Sequence, residues 1–212
     1  MDETGPESDS PGSRLVVRDL ACRRGEQVLF DGFDLELAPG ELIWLRAANG
    51  YGKTTLLRVL AGLAAPESGT IEWMPAAKRP ILYLAHANAL KDDLTVAESV
   101  HYLVRLHGLD ASDGAMAGAI RRFGLHARRD APIRFLSQGQ RRRVALIRLG
   151  LSAPQATWIL DEPYDALDSV GVALVNRLLA DHVARGGNAL LTSHVPLMID
   201  GAPVRTVHLD AM

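Results

Sequence analysis

Two hydrophobic patterns alternate along this chain and outline its elements. Between residues 14 and 37, apolar residues such as Phe33, Leu35 and Leu37 alternate with polar ones, and a period of two is typical of strands. The turn Pro39-Gly40 ends this region. We therefore predict an antiparallel β patch made of strands 14–20, 27–30 and 33–37, with a turn at 22–25.

From residue 41 onward, short apolar runs alternate with helical patterns. Runs such as 42–45 have the length of buried strands, whereas apolar residues three or four positions apart, as in 95–106, are typical of amphipathic helices. This alternation predicts an α/β fold with a mainly parallel core sheet. The predicted strands are 42–45, 70–73, 81–84, 157–160, 189–192 and 204–209, and the predicted helices begin at 53, 95, 111, 138 and 167.

Length and composition favour a single domain. The chain has 212 residues, 48% of them hydrophobic, so we expect one domain over 14–209 with an inserted helical subdomain at about 95–140. Residues 1–13 are acidic and rich in Pro, Gly and Ser, which predicts a disordered leader. A net charge of -2 argues against a dedicated nucleic-acid or membrane-surface protein, and one cysteine excludes an internal disulfide. With no signal peptide and no apolar run of ~20 residues, we expect a soluble chain whose membrane connection runs through a partner.

The strand at 42–45 leads into a glycine loop and then a helix. Strand, glycine loop and helix in this order form a cradle for phosphate, because the loop N–H groups converge on an anion. Lys53 would reach the β- and γ-phosphates of a nucleotide, and the Thr54 hydroxyl would bind Mg²⁺. The loop matches G-x-x-x-x-G-K-[ST] except at its first residue, Ala47. The alternative is a glycine-rich turn before an unrelated helix.

A second candidate anion site precedes the helix that begins near Gln138. Ser137 would cap this helix, leaving free N–H groups beside Gly139. Arginines follow in the same helix, and we interpret them as solvent-facing or paired with acids, with a nucleic-acid patch as the alternative: Arg141, Arg142, Arg143 and Arg148.

Several further polar residues follow strand ends. Asp161 and Glu162 end one strand, so one carboxylate could bind Mg²⁺ while the other acts on a water. His194 follows another strand, and ligands of parallel sheets bind at such carboxyl ends. Arg24 lies in the predicted turn near the phosphate loop, where it could stack on adenine or simply be solvated.

Five motifs, in this order, resemble the nucleotide-binding subunits of ABC transporters: AANGYGKTT, LSQGQ, WILDEP, DALD and TSH. The resemblance covers 14–209 and is closer still to the CcmA family, the ATPases of the cytochrome c maturation or haem exporter. LACRRGEQVLF, HANALKDDLTVAESV and LSQGQRRRVALIRL are similar to that family. The resemblance implies the P-loop NTPase fold of ABC ATPases and ATP hydrolysis that energises haem export or haem-chaperone release, with ATP and Mg²⁺ as cofactors. It also implies a head-to-tail dimer at the cytoplasmic face of the inner membrane, bound peripherally to a CcmB-like integral subunit and other maturation proteins.

The resemblance assigns roles to individual residues. Asp161 supports Mg²⁺ with Thr54, Glu162 polarises the attacking water, and His194 contacts the γ-phosphate. The signature residues Ser137, Gly139 and Gln140 close on the ATP of the partner subunit, and Asp168 faces the dimer interface. The phosphate loop is the cradle, formed by Ala47, Asn49, Gly50, Tyr51, Gly52, Lys53, Thr54 and Thr55.

The chain departs from the family pattern at three places. Ala47 replaces a glycine, and Arg24 stands where an aromatic residue is usual. The glutamine expected near position 87 is absent, and we predict that His86 or Asn88, or a water, replaces it. We interpret the chain as an ABC-type ATPase of c-type cytochrome biogenesis. The alternatives are the ATPase of another small exporter, a nucleotide-switched adaptor with weak hydrolysis, and an ABC protein acting on nucleic acid.

Overall fold

The computed structural model describes residues 13–74, 80–109 and 111–209. The predicted disordered leader therefore lies outside the described residues, except for Ser13. Ser13 is buried, and its carbonyl accepts a hydrogen bond from Asn188 Nδ2 at 2.5 Å. Ser13, which was predicted to belong to the leader, is therefore packed against the end of β7.

An antiparallel sheet contains the first strands. It has the order β2-β1-β4, where β1 is Arg14–Arg24, β2 is Gln27–Leu37 and β4 is Ser68–Met74. Two predictions were wrong here. Residues 22–24 belong to β1 rather than to a turn, and the two strands predicted over 27–37 are one strand. Register shifts along the β1–β2 pair interrupt the period of two, which is why the sequence pattern suggested a break.

The parallel sheet has five strands, which are β3 Leu42–Arg46, β5 Ile81–Leu84, β6 Thr157–Leu160, β7 Asn188–Thr192 and β8 Val204–His208. Their order in the sheet is β5-β6-β7-β3-β8. Every neighbouring pair is parallel, so the carboxyl ends meet at one edge. The prediction of a mainly parallel core is confirmed, but β4 was wrongly included in the alternation, since it pairs antiparallel with β1.

Within the described residues, five α-helices connect the strands: α1 Lys53–Leu60, α2 Val96–Leu106, α3 Asp113–Arg122, α4 Gln138–Leu146 and α5 Ser169–Ala184. Side-chain caps fix where several of them begin. A capping box between Thr95 and Glu98 starts α2, and Asp168 caps α5, so α5 begins at 169 rather than at the predicted 167. Two helices and short 3-10 turns precede α4 in the region predicted as a subdomain, whose independence stays a prediction.

Both faces of the parallel sheet are covered, which explains why its strands are continuous apolar runs. Leu42 and Leu191 point into a core formed with α2 to α5. Ile43 and Leu190 point into a second core formed with β1, β2 and α1. The strands are thereby fixed from two sides, and the loops at their carboxyl ends are held in place.

Candidate functional site

The loop between β3 and α1 has the backbone that a phosphate cradle needs. Gly50 and Gly52 both have φ of 87°, which favours glycine. A Cβ at Gly52 would also lie 3.0 Å from Leu29 Cβ. Ala47 is not among the described non-glycine residues with positive φ, which are Asp19, Ala89, Glu162 and Ala166. Alanine therefore replaces the first glycine of the motif without backbone strain.

Lys53 begins α1 and lies over this loop. Its Nζ donates to the carbonyls of Ala47, at 2.8 Å, and Ala48, at 3.1 Å. Within the described ranges no carboxylate forms an ion pair with Lys53, so its charge is available to an anion. The helix N-terminus behind it adds partial positive charge to the same place.

Asp161 is fixed from two sides at the carboxyl end of β6. Its Oδ2 accepts a hydrogen bond from Thr54 Oγ1 at 2.8 Å, and its Oδ1 accepts one from Thr192 Oγ1 at 3.0 Å. The residue is buried, with 3% of its surface exposed. A hydroxyl and a carboxylate in contact are oxygen donors of the kind that Mg²⁺ prefers, so Thr54 and Asp161 fit the predicted metal role.

Glu162 lies between the ends of β6 and β7. Its N–H donates to Thr192 Oγ1 at 2.9 Å, and its Oε2 accepts from the His194 N–H at 3.0 Å. The His194 ring Nε2 is 3.5 Å from Glu162 Oε1. The side chain of His194 is 65% exposed and that of Glu162 15%, so the carboxylate opens towards solvent at the strand ends. The two predicted catalytic residues therefore meet.

Two grooves flank the phosphate loop. One, of about 660 Å³, is lined by Lys53, Tyr51, His194 and residues of β3 and β8. The other is lined by 27–31 and 49–51, which include Asn49, Gly50 and Tyr51. Arg24 does not line either groove; it lies exposed at the end of β1, opposite Gln27. Stacking of Arg24 on adenine stays a prediction.

The signature segment begins α4 away from both grooves. Ser137 Oγ accepts from the Gln140 N–H at 3.2 Å, and Gln140 Oε1 accepts from the Ser137 N–H at 3.0 Å. This capping box confirms the predicted start of the helix. None of the residues 137–140 lines the grooves at the phosphate loop. Ser137 is exposed, so it can face another molecule.

Asp168 caps the N-terminus of α5. Its Oδ1 accepts from the Gly171 N–H at 2.8 Å and from Arg143 Nη2 at 2.5 Å. These hydrogen bonds, the backbone one first, hold the pKa of Asp168 below its usual value. The loop that precedes α5 is thus tied to the signature helix through Arg143.

Sequence reasoning missed two residues of the site. Thr192 is fully buried and joins Asp161 to Glu162; its place at the end of β7 was the available signal. Arg142 was interpreted, with its neighbours, as solvent-facing or paired with an acid, yet it is 2% exposed and donates to the backbone carbonyls of Asp161 and Glu162. Its helical spacing from the buried Leu146 could have placed it on the inner face.

The interpretation of the remaining arginines as solvent-facing or paired with acids is confirmed for Arg141 and Arg143. Arg141 pairs with Asp92 at 2.9 Å, and Arg143 pairs with Asp168. Arg148, however, is buried, and burial lowers its pKa to about 10.

Comparison with known proteins identifies the family. The profile of the family described as "ABC transporter" matches residues 30–165. This chain belongs to the ABC transporter family. The predicted fold class and the ATPase classification are thereby confirmed, and the cassette binds ATP.

Curated relatives narrow the family further. The chain is 46% identical to the "Cytochrome c biogenesis ATP-binding export protein CcmA" of Aromatoleum aromaticum, over 85% of this chain and 88% of that protein. The proteins of the same name in Methylococcus capsulatus and Nitrosomonas europaea are 44% and 41% identical. Those alignments cover 92% and 98% of this chain, and 96% and 99% of the relatives. The predicted membership of the CcmA group is confirmed.

Solved structures show the same ABC fold. An ABC transporter ATP-binding protein from Pyrococcus furiosus superposes with a TM-score of 0.78 at 21% identity, over 92% of this chain and 97% of that one. An ATP-binding cassette solved as a dimer in a post-hydrolysis state with ADP and Pi gives 0.74 at 20% identity, over 85% and 88%. Across the described part of this ABC chain, no helix is long and apolar enough to cross a membrane.

Proposed function

We propose that this chain is the ATP-hydrolysing subunit that energises a membrane complex of c-type cytochrome biogenesis. The support is the name shared by relatives that align over most of both chains. An ATPase subunit of another small exporter is less well supported, because these relatives all carry the cytochrome c biogenesis name.

The proposal includes a membrane partner. The relatives are named export proteins, and export requires a path through a bilayer, so we assign the chain to an integral subunit of the CcmB type and to the other maturation proteins. Its place would be peripheral, at the cytoplasmic face of the inner membrane, where ATP is available.

Within the site, each residue has a part that follows from its contacts. The loop N–H groups and Lys53 bind the phosphates, and Thr54 with Asp161 would hold Mg²⁺. A Mg²⁺ ion held there would supply positive charge that offsets the charge of the phosphates. Glu162 orients the attacking water and accepts its proton, and His194 holds the Glu162 carboxylate through its N–H.

The geometry also favours a site completed by a second copy. The exposed, capped N-terminus of α4 is an anion-binding end, and it does not line the groove of its own phosphate loop. In a head-to-tail dimer, Ser137, Gly139 and Gln140 of one copy would close on ATP held at Lys53 of the other.

One observation carries the hydrolytic part of the proposal: Thr54 of α1 meets Asp161, Glu162 and His194 at the ends of the neighbouring strands β6 and β7. The test is Glu162→Gln, which keeps the shape of the side chain but removes its basicity. We expect ATP affinity within about threefold of wild type and a turnover reduced ~10²–10⁴-fold, the usual contribution of a general base. Single-turnover hydrolysis and equilibrium binding measure the two quantities.

Glu67→Gln is the matched control, because Glu67 is exposed in the turn directly before β4 and its substitution should leave turnover unchanged. A Glu162→Gln protein that hydrolyses ATP within a few-fold of wild type would exclude Glu162 as the base. Slow single-turnover hydrolysis by the wild type would favour the nucleotide-switched adaptor instead.

A further inference from the structure

A buried arginine of the signature helix contacts the segment that follows β5. Arg142 Nη1 donates to the carbonyl of Ala85 at 3.0 Å, to that of His86 at 3.2 Å and to the side-chain Oδ1 of Asn88 at 3.0 Å. Asn88 therefore points at Arg142. It supplies the only side-chain acceptor among these three contacts.

The same guanidinium also contacts the segment that follows β6. Its Nη2 donates to the carbonyls of Asp161 at 3.0 Å and Glu162 at 2.6 Å, and its Nε donates to that of Pro163 at 3.4 Å. A guanidinium has five N–H donors in a fixed plane, and these contacts engage both ends of it. Lysine, with three donors on one nitrogen, cannot span the two segments in this way.

The contact with the Glu162 carbonyl matters because of the conformation of Glu162. This residue has φ of 48°, in the left-handed region that non-glycine residues rarely adopt. Such a conformation persists only when its surroundings hold it. Here Arg142 holds the carbonyl and Thr192 Oγ1 holds the N–H, so the two together set the direction of the Glu162 side chain.

We propose that Arg142 is a positioning residue for ATP hydrolysis, and that it links the conformation of residues 85–88 to the Glu162 carboxylate through Asn88. The inference rests on the proposed role of Glu162 as the base. In this chain, which has no glutamine near position 87, the link from the 85–88 segment to the hydrolytic site runs through a side-chain amide and a guanidinium. Displacement of Asn88 removes one of the contacts that hold Arg142 against Glu162.

The proposed link between residues 85–88 and Glu162 borders a groove on the protein surface. A groove beside this contact is lined by residues 86–90, by Gln138 and Arg141 of α4, and by Asp165. Movement of residues 86–90 is therefore transmitted to the base without passing through the phosphate loop. This predicts an effect on turnover that leaves ATP affinity unchanged.

The test compares two substitutions of Asn88. Asn88→Ala removes the acceptor, and we expect turnover to fall about 10-fold, as for loss of one hydrogen bond to a charged group. Asn88→Asp keeps an acceptor in the same place, and we expect turnover within about twofold of wild type. Equilibrium ATP binding should change less than about twofold in both variants, because Asn88 does not line either groove at the phosphate loop.

Arg142→Lys keeps the charge but loses the planar fork, and we expect turnover to fall at least as far as in Asn88→Ala. Arg122→Gln is the control, since Arg122 of α3 pairs with the half-exposed Asp181 and does not line the groove beside residues 86–90. It should retain wild-type turnover. Adding Asn88→Ala to Glu162→Gln should cause no further loss, because the base through which it acts is already removed.

The outcomes separate the two proposals. Full turnover in Asn88→Ala together with arrest in Glu162→Gln would overturn the link and leave the proposed function standing. Equal losses in Asn88→Ala and Asn88→Asp, or a parallel loss of ATP affinity, would also overturn it, because they indicate a general structural defect. Full turnover in Glu162→Gln would overturn both proposals. Should Arg142→Lys fail to fold, the Asn88 pair decides alone.

Discussion

At the scale of single residues, buried polar side chains have measurable consequences that do not depend on ATP. His182 of α5 is 1% exposed, and its ring stacks on Trp158 with centroids 3.7 Å apart and an interplanar angle of 6°. Its Nε2 donates to the Ala156 carbonyl at 2.8 Å, whereas Nδ1 is buried without a partner among the described residues. Burial is the main reason why the pKa of His182 falls to about 4.

This pKa predicts acid sensitivity. In the unfolded chain His182 takes up a proton near pH 6.5, whereas in the folded protein it stays neutral down to about pH 4. The unfolded state therefore binds more protons in this window, and the free energy of unfolding decreases as the pH falls from 6.5 to 4. The loss attributable to His182 is about 3 kcal/mol.

His182→Phe preserves a stacked ring and should flatten the pH dependence of stability in this window. Urea unfolding at pH 7 and at pH 4.5 measures it, with the exposed His101→Gln as the control. If wild type and His182→Phe lose the same free energy on acidification, His182 does not cause the sensitivity.

At the scale of elements, the short helix α4 contributes residues to several parts of the site. Its first turn presents the Ser137 capping box, its inner face carries Arg142, and Gly139 permits close contact with the loop that precedes α5. A Cβ at Gly139 would lie 2.6 Å from the Ala166 carbonyl oxygen. This contact is made with backbone, so no side chain can move aside to relieve it.

Gly139→Ala should therefore shift α4 or the 165–168 loop, at a cost of about 1–3 kcal/mol typical of overpacking. Gly118→Ala is the control, because Gly118 lies in α3 with nothing within 4 Å of a Cβ. That substitution should stabilise the helix by about 0.5–1 kcal/mol. Thermal unfolding measures both, and similar Tm changes of the same sign would contradict the role of the close contact.

At the scale of the whole molecule, the sheet order decides which loops meet. Because β6, β7 and β3 are neighbours, the loops carrying Asp161, His194 and Lys53 converge on one edge. The N-terminus of α4 lies outside the grooves at that edge, which supports a site shared between two copies.

Mixing two inactive variants tests the shared site. Lys53→Ala removes the phosphate contact, and Ser137→Arg blocks the signature with bulk and charge. Each homodimer then has two defective sites, whereas a mixed dimer has one site with both lesions and one with neither. We expect ATP-dependent dimerisation to return in the mixture, measured by light scattering against each variant alone. A mixture that stays monomeric where wild type dimerises would exclude a signature acting across the interface.

Features that depend on residues close together in the chain were predictable from the sequence. The glycine loop, the Ser137 cap, the Asp161-Glu162 pair and most strand bounds each follow from a stretch of about ten residues. The parallel arrangement followed as well, since strands joined by helices are constrained to lie parallel. The continuity of β2 as one strand did not follow from the sequence, because a bulge interrupts the period of two from which strands are predicted.

Only the tertiary structure decided which distant residues meet. The pairing of β4 with β1, the bond from Thr192 to Asp161 and the Trp158–His182 stack join segments that no local pattern relates. Arg142 is the clearest case, because its spacing from Leu146 can place it on the inner face of α4 but cannot show which backbone carbonyls it contacts there. The helix phase and the carbonyls that follow β5 and β6, up to 57 positions away in the chain, made it a buried link to the base.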